Sequence, residues 1–212
     1  MSTRGNLIVV DHPLIAHKLS LLRSKATPSA QFRALMREVA LLLGPEVLRD
    51  LPTELRDIET PVGPARVPFL AGKKLALVTV LRAGNGLLDG MLDLVPSARV
   101  GHIGIYRQPD TLAAVEYYCK LPDGIGERLS VVVDPMLATG HSAAAALSRL
   151  KARGARDIRL MCALAAPEGV AELARVHPDV RIFAGALDQR LNEHGYIVPG
   201  LGDAGDRLYG TK

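Results

Sequence analysis

The residues with the clearest chemical potential form a short run in which an acid and a loop of small residues lie between a strand and a helix. The apolar run 131–133 leads into Asp134, and residues 135–142 then open an alanine-rich helix. The first amides of a helix lack intrahelical partners and lie at the positive end of its dipole, so such a loop can bind an anion. Asp134 only accepts hydrogen bonds when ionised, and open α/β sheets bind ligands beyond the carboxyl ends of their strands. The run therefore predicts a phosphate site beside an acceptor for hydroxyl groups.

This loop differs from the two best-known phosphate-binding patterns. It has neither the Gly-x-x-x-x-Gly-Lys-Ser/Thr of a Walker loop nor the Gly-x-Gly-x-x-Gly of a dinucleotide site. Thr139, Gly140 and Ser142 are small enough for phosphate oxygens to approach the backbone, and the two hydroxyls add donors. Taken alone, these residues fit an ordinary capped strand-to-helix turn as well as a phosphate site.

The surrounding pattern predicts the elements that position this loop. Short apolar runs alternate with stretches of helical character, which is typical of a mostly parallel sheet with helices on both faces. The runs are residues 75–80, 100–106, 129–133, 158–164 and 180–183. Right-handed crossovers bring the ends of such strands to one rim, so we expect Arg82, Arg107 and Asp134 to face one cleft.

Two elements precede the alternating region. Apolar residues at helical spacing predict an amphipathic helix over 29–43, ended by Gly44-Pro45, whose apolar face is either core or a dimer surface. Residues 57–68 alternate around Gly63-Pro64 and predict a β-hairpin at a sheet edge. With neither repeats nor a linker, residues 1–212 are expected to form one domain.

Composition argues against several functional classes. The net charge is +4, but Lys and Arg are dispersed and aromatic residues make up only 4%, so a nucleic-acid partner is not expected. Cys119 and Cys162 are far apart and belong to no metal-binding motif, which suits a reducing compartment. With no signal peptide and no run near the roughly 18 apolar residues of a membrane helix, we expect a cytoplasmic protein.

Several motifs in sequence order resemble one family. Asp-Pro-Met-Leu-Ala-Thr-Gly at 134–140 resembles the phosphoribosyl diphosphate (PRPP) loop of type I phosphoribosyltransferases in its uracil-specific branch. Leu-Arg-Ala-Gly at 81–84, Tyr-Arg at 106–107 and the segment 191–207 are similar to further motifs of that branch. The resemblance implies the type I phosphoribosyltransferase fold, a mostly parallel central sheet flanked by helices, with a hairpin arm and a C-terminal hood at about 188–212.

The resemblance also implies roles for individual residues. Arg82 and Arg107 would bind the pyrophosphate of PRPP, because the planar guanidinium makes paired, charge-assisted bonds to phosphate oxygens. Asp134 would accept from the ribose hydroxyls. The rest of the PRPP loop would bind the 5-phosphate; it comprises Pro135, Met136, Leu137, Ala138, Thr139, Gly140, His141 and Ser142. By the same resemblance, a non-proline cis peptide is expected between residues 80 and 84.

Three positions differ from patterns found among related sequences. Many type I loops carry a second acid where Pro135 stands, as in the uracil branch, so Mg²⁺ needs another anchor. We assign Asp203, binding either PRPP or the metal through water, since Mg²⁺ commonly keeps waters and uses few carboxylates. His141 stands where the branch usually has glycine, and Asn85 replaces a residue that is often apolar. An exposed His141 is preferred over a phosphate contact, although a positive φ at that residue would be strained.

The C-terminal segment is the candidate base site. Uracil offers acceptor, donor and acceptor along one edge, which main-chain groups in a turn can match. By resemblance, Ile197, Gly202, Asp203 and Ala204 would line the base. Cytosine would leave buried groups unpaired, and such mismatches discriminate by about 10⁴ in favourable sites.

The sequence thus predicts transfer of phosphoribose from PRPP to N1 of uracil, giving UMP and diphosphate. Residues 107–120 would form a cover that excludes water. Two alternatives stay open: a regulator with the same fold that binds RNA, and transfer to another base. The resemblance further suggests a homodimer or higher homo-oligomer and GTP as an effector.

Overall fold

The structure is a computed structural model that describes residues 2–72, 75–107 and 114–211. The helices are α1 (Pro13–Arg23), α2 (Ser29–Val47), α3 (Asn85–Leu94), α4 (His141–Ala152), α5 (Pro167–Val176) and α6 (Ala204–Tyr209), with a 3-10 turn at Ile125–Glu127. The strands are β1 (Ser2–Arg4), β2 (Leu7–Val9), β3 (Thr53–Glu59), β4 (Pro64–Leu70), β5 (Ala76–Leu81), β6 (Arg99–Arg107), β7 (Ala114–Lys120), β8 (Leu129–Val133), β9 (Met136–Leu137), β10 (Asp157–Ala165), β11 (Arg181–Leu187), β12 (Arg190–Leu191) and β13 (Ile197–Val198).

The central sheet is mostly parallel, as the alternating pattern predicts. Its order is β1-β2-β11-β10-β8-β5-β6-β7, and β9 pairs with β10 beside the main path. The pairings from β2 to β6 are parallel, whereas β1 and β7 pair antiparallel at the two edges. Because β8, β5 and β6 are neighbours, the residues that follow them meet at one rim of the sheet.

Helices cover both faces of this sheet and bury a hydrophobic cluster on each. Successive strand residues point to opposite faces, so Leu77 belongs to the cluster that includes residues of α1, α2, α3 and α6, while Val78 belongs to the cluster that includes residues of α4 and α5. Both side chains are completely buried. This arrangement confirms the predicted fold class, and it explains why the central strands are continuous apolar runs.

Helix α2 ends later than the sequence predicts. It continues through Gly44 and Pro45 to Val47, because Val47 is completely buried and the Leu48 amide still donates to the Gly44 carbonyl at 2.9 Å. The cost of the proline falls in the last turn, where few helical hydrogen bonds remain to be lost. The apolar face of α2 lies in the core, so the alternative of a dimer surface was wrong for this face.

One further expectation needs correction, and another is tested only in part. The hairpin forms as β3 and β4, but among the described residues these strands pair only with each other and make a separate two-stranded sheet, not an edge of the central one. The expected cover at 107–120 is partly a regular strand, since residues 114–120 form β7 against β6. Residues 108–113 lie outside the described part of the chain. Among the described residues, none of the helices has the length and apolarity to cross a membrane.

Candidate active site

A cleft of about 400 Å³ opens at the carboxyl ends of β5 and β8. Segments that are distant in sequence meet there, which is the position where open α/β sheets bind ligands. The lining residues are Val80, Leu81, Arg82, Ala83, Ile105, Asp134, Met136, Leu137, Ala138, Thr139, Gly140, Ser142, Ala143, His194, Gly195, Tyr196, Ile197, Gly202, Asp203, Ala204 and Gly205.

Asp134 follows β8 at the floor of this cleft. Its amide donates to the Met161 carbonyl at 3.1 Å, and its Oδ1 accepts weakly from the Met136 amide at 3.4 Å. Burial raises the pKa of its carboxyl to about 6, because few hydrogen bonds offset the loss of water around the charged form. A carboxylate with unused acceptor capacity in a cleft suits a ligand that brings hydroxyl groups.

The loop after Asp134 is held rigidly against the sheet. The Pro135 carbonyl accepts from the amides of Ala163 and Leu164 at 3.1 and 3.0 Å, and β9 pairs with the end of β10. Gly140 precedes α4 with a φ of +84°. It is the N-cap residue of this helix, and no side chain accepts a capping hydrogen bond there. The first amides of α4 therefore face the cleft without a capping side chain, which leaves an anion site.

Arg82 lies on the opposite wall, beyond β5. The peptide bond between Leu81 and Arg82 is cis, in agreement with the expectation for this loop. Its guanidinium lies 3.4 Å from Asp206 Oδ1 and 5.9 Å from the centroid of the Tyr209 ring. The Tyr209 hydroxyl donates to the Arg82 carbonyl at 3.1 Å. Side chain and main chain of Arg82 thus both contact the C-terminal helix.

The C-terminal segment forms the third wall. Strands β12 and β13 pair antiparallel, a cis peptide joins Val198 to Pro199, and the chain then enters α6. Asp203 caps this helix, since its Oδ1 accepts from the Asp206 amide at 2.9 Å. The cleft as a whole combines an anion site, a carboxylate acceptor, a guanidinium and irregular backbone with exposed polar groups.

The comparison with known families agrees with this assembly of parts. A family model described as uracil phosphoribosyltransferase matches residues 9–211. The chain belongs to the uracil phosphoribosyltransferase family. A relative of that name from Rhizobium rhizogenes is 61% identical over 204 residues, which is 96% of this chain and 98% of the relative. Another from Thermoanaerobacter sp. is 59% identical over 207 residues, 98% and 99% of the two chains.

Solved structures extend the comparison. The AQ2163 protein from Aquifex aeolicus superimposes with a TM-score of 0.93 at 38% identity, covering 97% of this chain and 99% of that one. A hypoxanthine-guanine phosphoribosyltransferase from Bacillus anthracis gives a TM-score of 0.50 at 11% identity, over 76% and 80% of the chains. The second match concerns the fold alone. It is consistent with the type I phosphoribosyltransferase fold that the motifs indicate.

Most of the residues singled out from the sequence line the cleft of this family member. They are Arg82, Asp134, Met136, Leu137, Ala138, Thr139, Gly140, Ser142, Ile197, Gly202, Asp203 and Ala204. Pro135 does not line it; its side chain is buried and its carbonyl is used within the sheet. Arg107 ends β6 on the same rim, but its side chain lies outside the described part of the structure.

The departures from the uracil phosphoribosyltransferase pattern have local explanations. His141 is exposed and is the first residue of α4, while the positive φ belongs to Gly140, so the anticipated strain is absent at His141. The hydrogen bond from Arg175 lowers the pKa of Glu172 on α5, and nearby His141 makes only a small further contribution. Asn85 accepts a hydrogen bond from the buried Thr79 hydroxyl at 3.2 Å, behind the Arg82 loop.

Sequence reasoning missed several residues of the site. Ile105 lies just before the Tyr-Arg motif, while His194 and Gly195 lie within the segment 191–207 but were given no role of their own. Proximity to those motifs was the available signal. Asp206 also lies within that segment, but its contact with Arg82, like that of Tyr209, depends on how α6 packs beside the rim and could not be predicted.

Proposed function

We propose that this protein transfers the 5-phosphoribosyl group of PRPP to N1 of uracil, forming UMP and diphosphate. The observation that carries this proposal is the convergence of the loop before α4, Asp134, Arg82 and the C-terminal segment on one cleft in a member of the uracil phosphoribosyltransferase family. The loop before α4 and Asp134 suit the 5-phosphate and the ribose, Arg82 suits the diphosphate, and the C-terminal segment suits the base. Residues 1–212 are proposed to act as one domain, with the base site in residues 188–212.

The chain acts mainly by positioning and charge stabilisation. The amides and hydroxyls of residues 137–142 bind the 5-phosphate, and Asp134 accepts from the ribose hydroxyls. Arg82, together with Arg107, stabilises the charge that develops on the departing diphosphate as the sugar gains oxocarbenium character. Holding N1 of uracil in line with C1 of the sugar removes much of the entropic barrier.

Main-chain groups of the C-terminal segment are proposed to read the base. Ile197 and Ala204 are buried on either side of the turn, and Gly202 and Asp203 lie between them at the cleft. Backbone N–H and C=O groups there can match the acceptor, donor and acceptor of uracil. A base with a reversed pattern would leave buried polar groups unpaired, which is the physical basis of selectivity.

Magnesium is the proposed cofactor. The described residues contain no cluster of three or more His, Cys, Asp or Glu side chains, so an ion here would depend largely on PRPP oxygens and water. That fits Mg²⁺, which keeps several waters and is often bound through one carboxylate and substrate phosphates. Asp203 is the side chain that would hold it, directly or through water. The ion would neutralise diphosphate charge in the complex.

Self-association is also proposed, as a homodimer or higher oligomer in the cytoplasm. The support in the structure is the β3–β4 hairpin, which leaves Leu55, Val62 and Leu70 exposed by 59%, 99% and 57%. Exposed apolar side chains on such a hairpin could pack against a second copy of the chain. GTP as an effector rests on the sequence resemblance alone. We propose no nucleic-acid or membrane partner.

The proposal is tested by incubating the purified protein with PRPP, Mg²⁺ and a panel of labelled bases, with and without GTP. UMP and diphosphate in equal amounts with uracil are expected. Absence of UMP would overturn the proposal, whereas turnover of orotate or hypoxanthine would favour the alternative of another base. An RNA-binding regulator would bind RNA in a filter assay and form no nucleotide.

A further inference from the structure

The turn that carries the proposed base site is held by an ion pair that lies away from the cleft. Arg23 ends α1, and its guanidinium makes a two-pronged bond to Asp188, with Nη1 at 2.7 Å from Oδ2 and Nη2 at 2.6 Å from Oδ1. The ion pair also hydrogen-bonds the main chain of Gly200. Arg23 Nη1 donates to the Gly200 carbonyl at 2.9 Å, and the Gly200 amide donates to Asp188 Oδ2 at 2.9 Å. Both main-chain polar groups of Gly200 are therefore fixed.

A second arginine fixes the adjoining residue. Arg207 in α6 donates through Nη1 to the Leu201 carbonyl at 2.8 Å and to the Leu22 carbonyl, and through Nη2 to the Ser24 carbonyl at 2.5 Å. Its Cζ lies 4.4 Å from the centroid of the Phe32 ring, so the guanidinium stacks on the core. Arg207 thus ties the turn to the C-terminal end of α1.

The contacts of the turn depend on the backbone conformation of Gly200 and on the planar guanidinium of Arg23. Gly200 has a φ of +61°, and a Cβ there would lie 2.1 Å from the Ile197 carbonyl oxygen. The Asp188 side chain is only 5% exposed, so its charge depends on the fork of Arg23. A lysine offers a point charge with no planar fork and cannot satisfy the same set of acceptors.

We propose that Arg23, Asp188 and Arg207 are positioning residues that fix the main-chain groups of residues 200–204 for recognition of the base. They act on the base through the backbone, since none of the three lines the cleft. This inference rests on the proposed function, because it takes residues 197–204 as the uracil site. The consequence is that selectivity for uracil depends on side chains that never touch it.

The test compares Arg23→Lys and Arg207→Lys with the parent protein in steady-state kinetics. A misplaced turn is expected to raise KM for uracil by about 10- to 100-fold, because small displacements of recognition groups have effects of that size. KM for PRPP should stay within about twofold of the parent value, and the preference for uracil over cytosine should fall. Arg37→Lys is the matched control, since Arg37 pairs with Asp93 on the surface, away from the turn.

The outcomes separate a positioning role from a structural one. A purely structural role would lower the melting temperature and the active fraction while leaving both KM values unchanged, and that result would overturn the inference. Asp188→Asn, which keeps an acceptor for the Gly200 amide, should show a smaller rise in KM for uracil than Arg23→Lys. If the parent protein forms no UMP, the proposed function fails. If it forms UMP and the variants keep the parent KM for uracil, only this inference fails.

Discussion

At the scale of single residues, Asp134 lies in a position that suits a ligand but lowers the stability of the folded protein. The carboxylate lies at the floor of the cleft and receives only a long hydrogen bond from the Met136 amide. Its pKa rises from 3.8 to about 6 because burial disfavours the charged form. The folded state therefore binds this proton more tightly than the unfolded state does. Above pH 6, the ionised carboxylate costs the protein stability but is available to accept from hydroxyl groups.

We predict that Asp134→Asn lowers turnover with PRPP while raising the free energy of unfolding at pH 7.5. A raised acid pKa means that wild-type stability falls as pH rises from about 4 to about 6, by up to about 3 kcal/mol. The amide does not titrate and so avoids this loss. Urea unfolding of both proteins at pH 7.5 and pH 4.5 measures the effect. The difference in free energy of unfolding between the variant and the parent protein should be smaller at pH 4.5 than at pH 7.5. An equal difference at both pH values would contradict the assigned pKa.

At the scale of an element, α6 links the two halves of the site within six residues. Asp203 caps it and lines the cleft, while Asp206 and Tyr209 contact the guanidinium of Arg82. The proposed base segment and the proposed diphosphate ligand are thus held by one short helix. Its placement explains why the motifs at 81–84 and 191–207, far apart in sequence, belong to one site.

We predict that Asp206→Asn raises KM for PRPP several-fold and changes the free energy of unfolding by less than about 1 kcal/mol. The Arg82 side chain is 55% exposed, so the ion pair adds little stability, but it restricts where the guanidinium points. Asp203 still caps the helix in this variant. Initial rates at varied PRPP measure the change. Tyr209→Phe keeps the ring beside Arg82 and should have a smaller effect; an unchanged KM in both variants would argue against a role for α6 in placing Arg82.

At the scale of the whole molecule, the two hydrophobic clusters position the rim of the sheet. The cluster that contains residues of α1, α2, α3 and α6 includes Phe32 of α2. This side chain is completely buried, and the guanidinium of Arg207 stacks on its ring. Packing on this face therefore reaches the C-terminal segment directly. Loss of this core should weaken both the fold and the base site.

We predict that Phe32→Ala lowers the free energy of unfolding by about 3–5 kcal/mol, the usual cost of removing a buried aromatic ring. Gln31→Ala is the control, because Gln31 is exposed on the same helix and such surface changes usually stay within about 0.5 kcal/mol. Urea unfolding followed by circular dichroism measures both. A loss below about 1 kcal/mol for Phe32→Ala would show that the surrounding core collapses into the space.

Local patterns predicted much of the fold but placed some boundaries and neighbours wrongly. The central strands were predicted within a few residues, because a buried strand needs an unbroken apolar run. The Gly-Pro pair did not end α2, since burial of Val47 outweighs the local preference. The hairpin was predicted as a hairpin, but no local feature could say that its two strands make a sheet separate from the central one.

The sequence by itself determined the chemical groups of the candidate site and the local structures that carry them. A strand, an acid, a small-residue loop and a helix are adjacent in the chain, so their arrangement follows from short-range geometry. Only the tertiary structure decided that Asp206 reaches Arg82, and that Arg23 and Asp188, 165 residues apart, together hold Gly200. Contacts between distant segments depend on the packing of whole helices against the sheet, and a local pattern does not encode that packing.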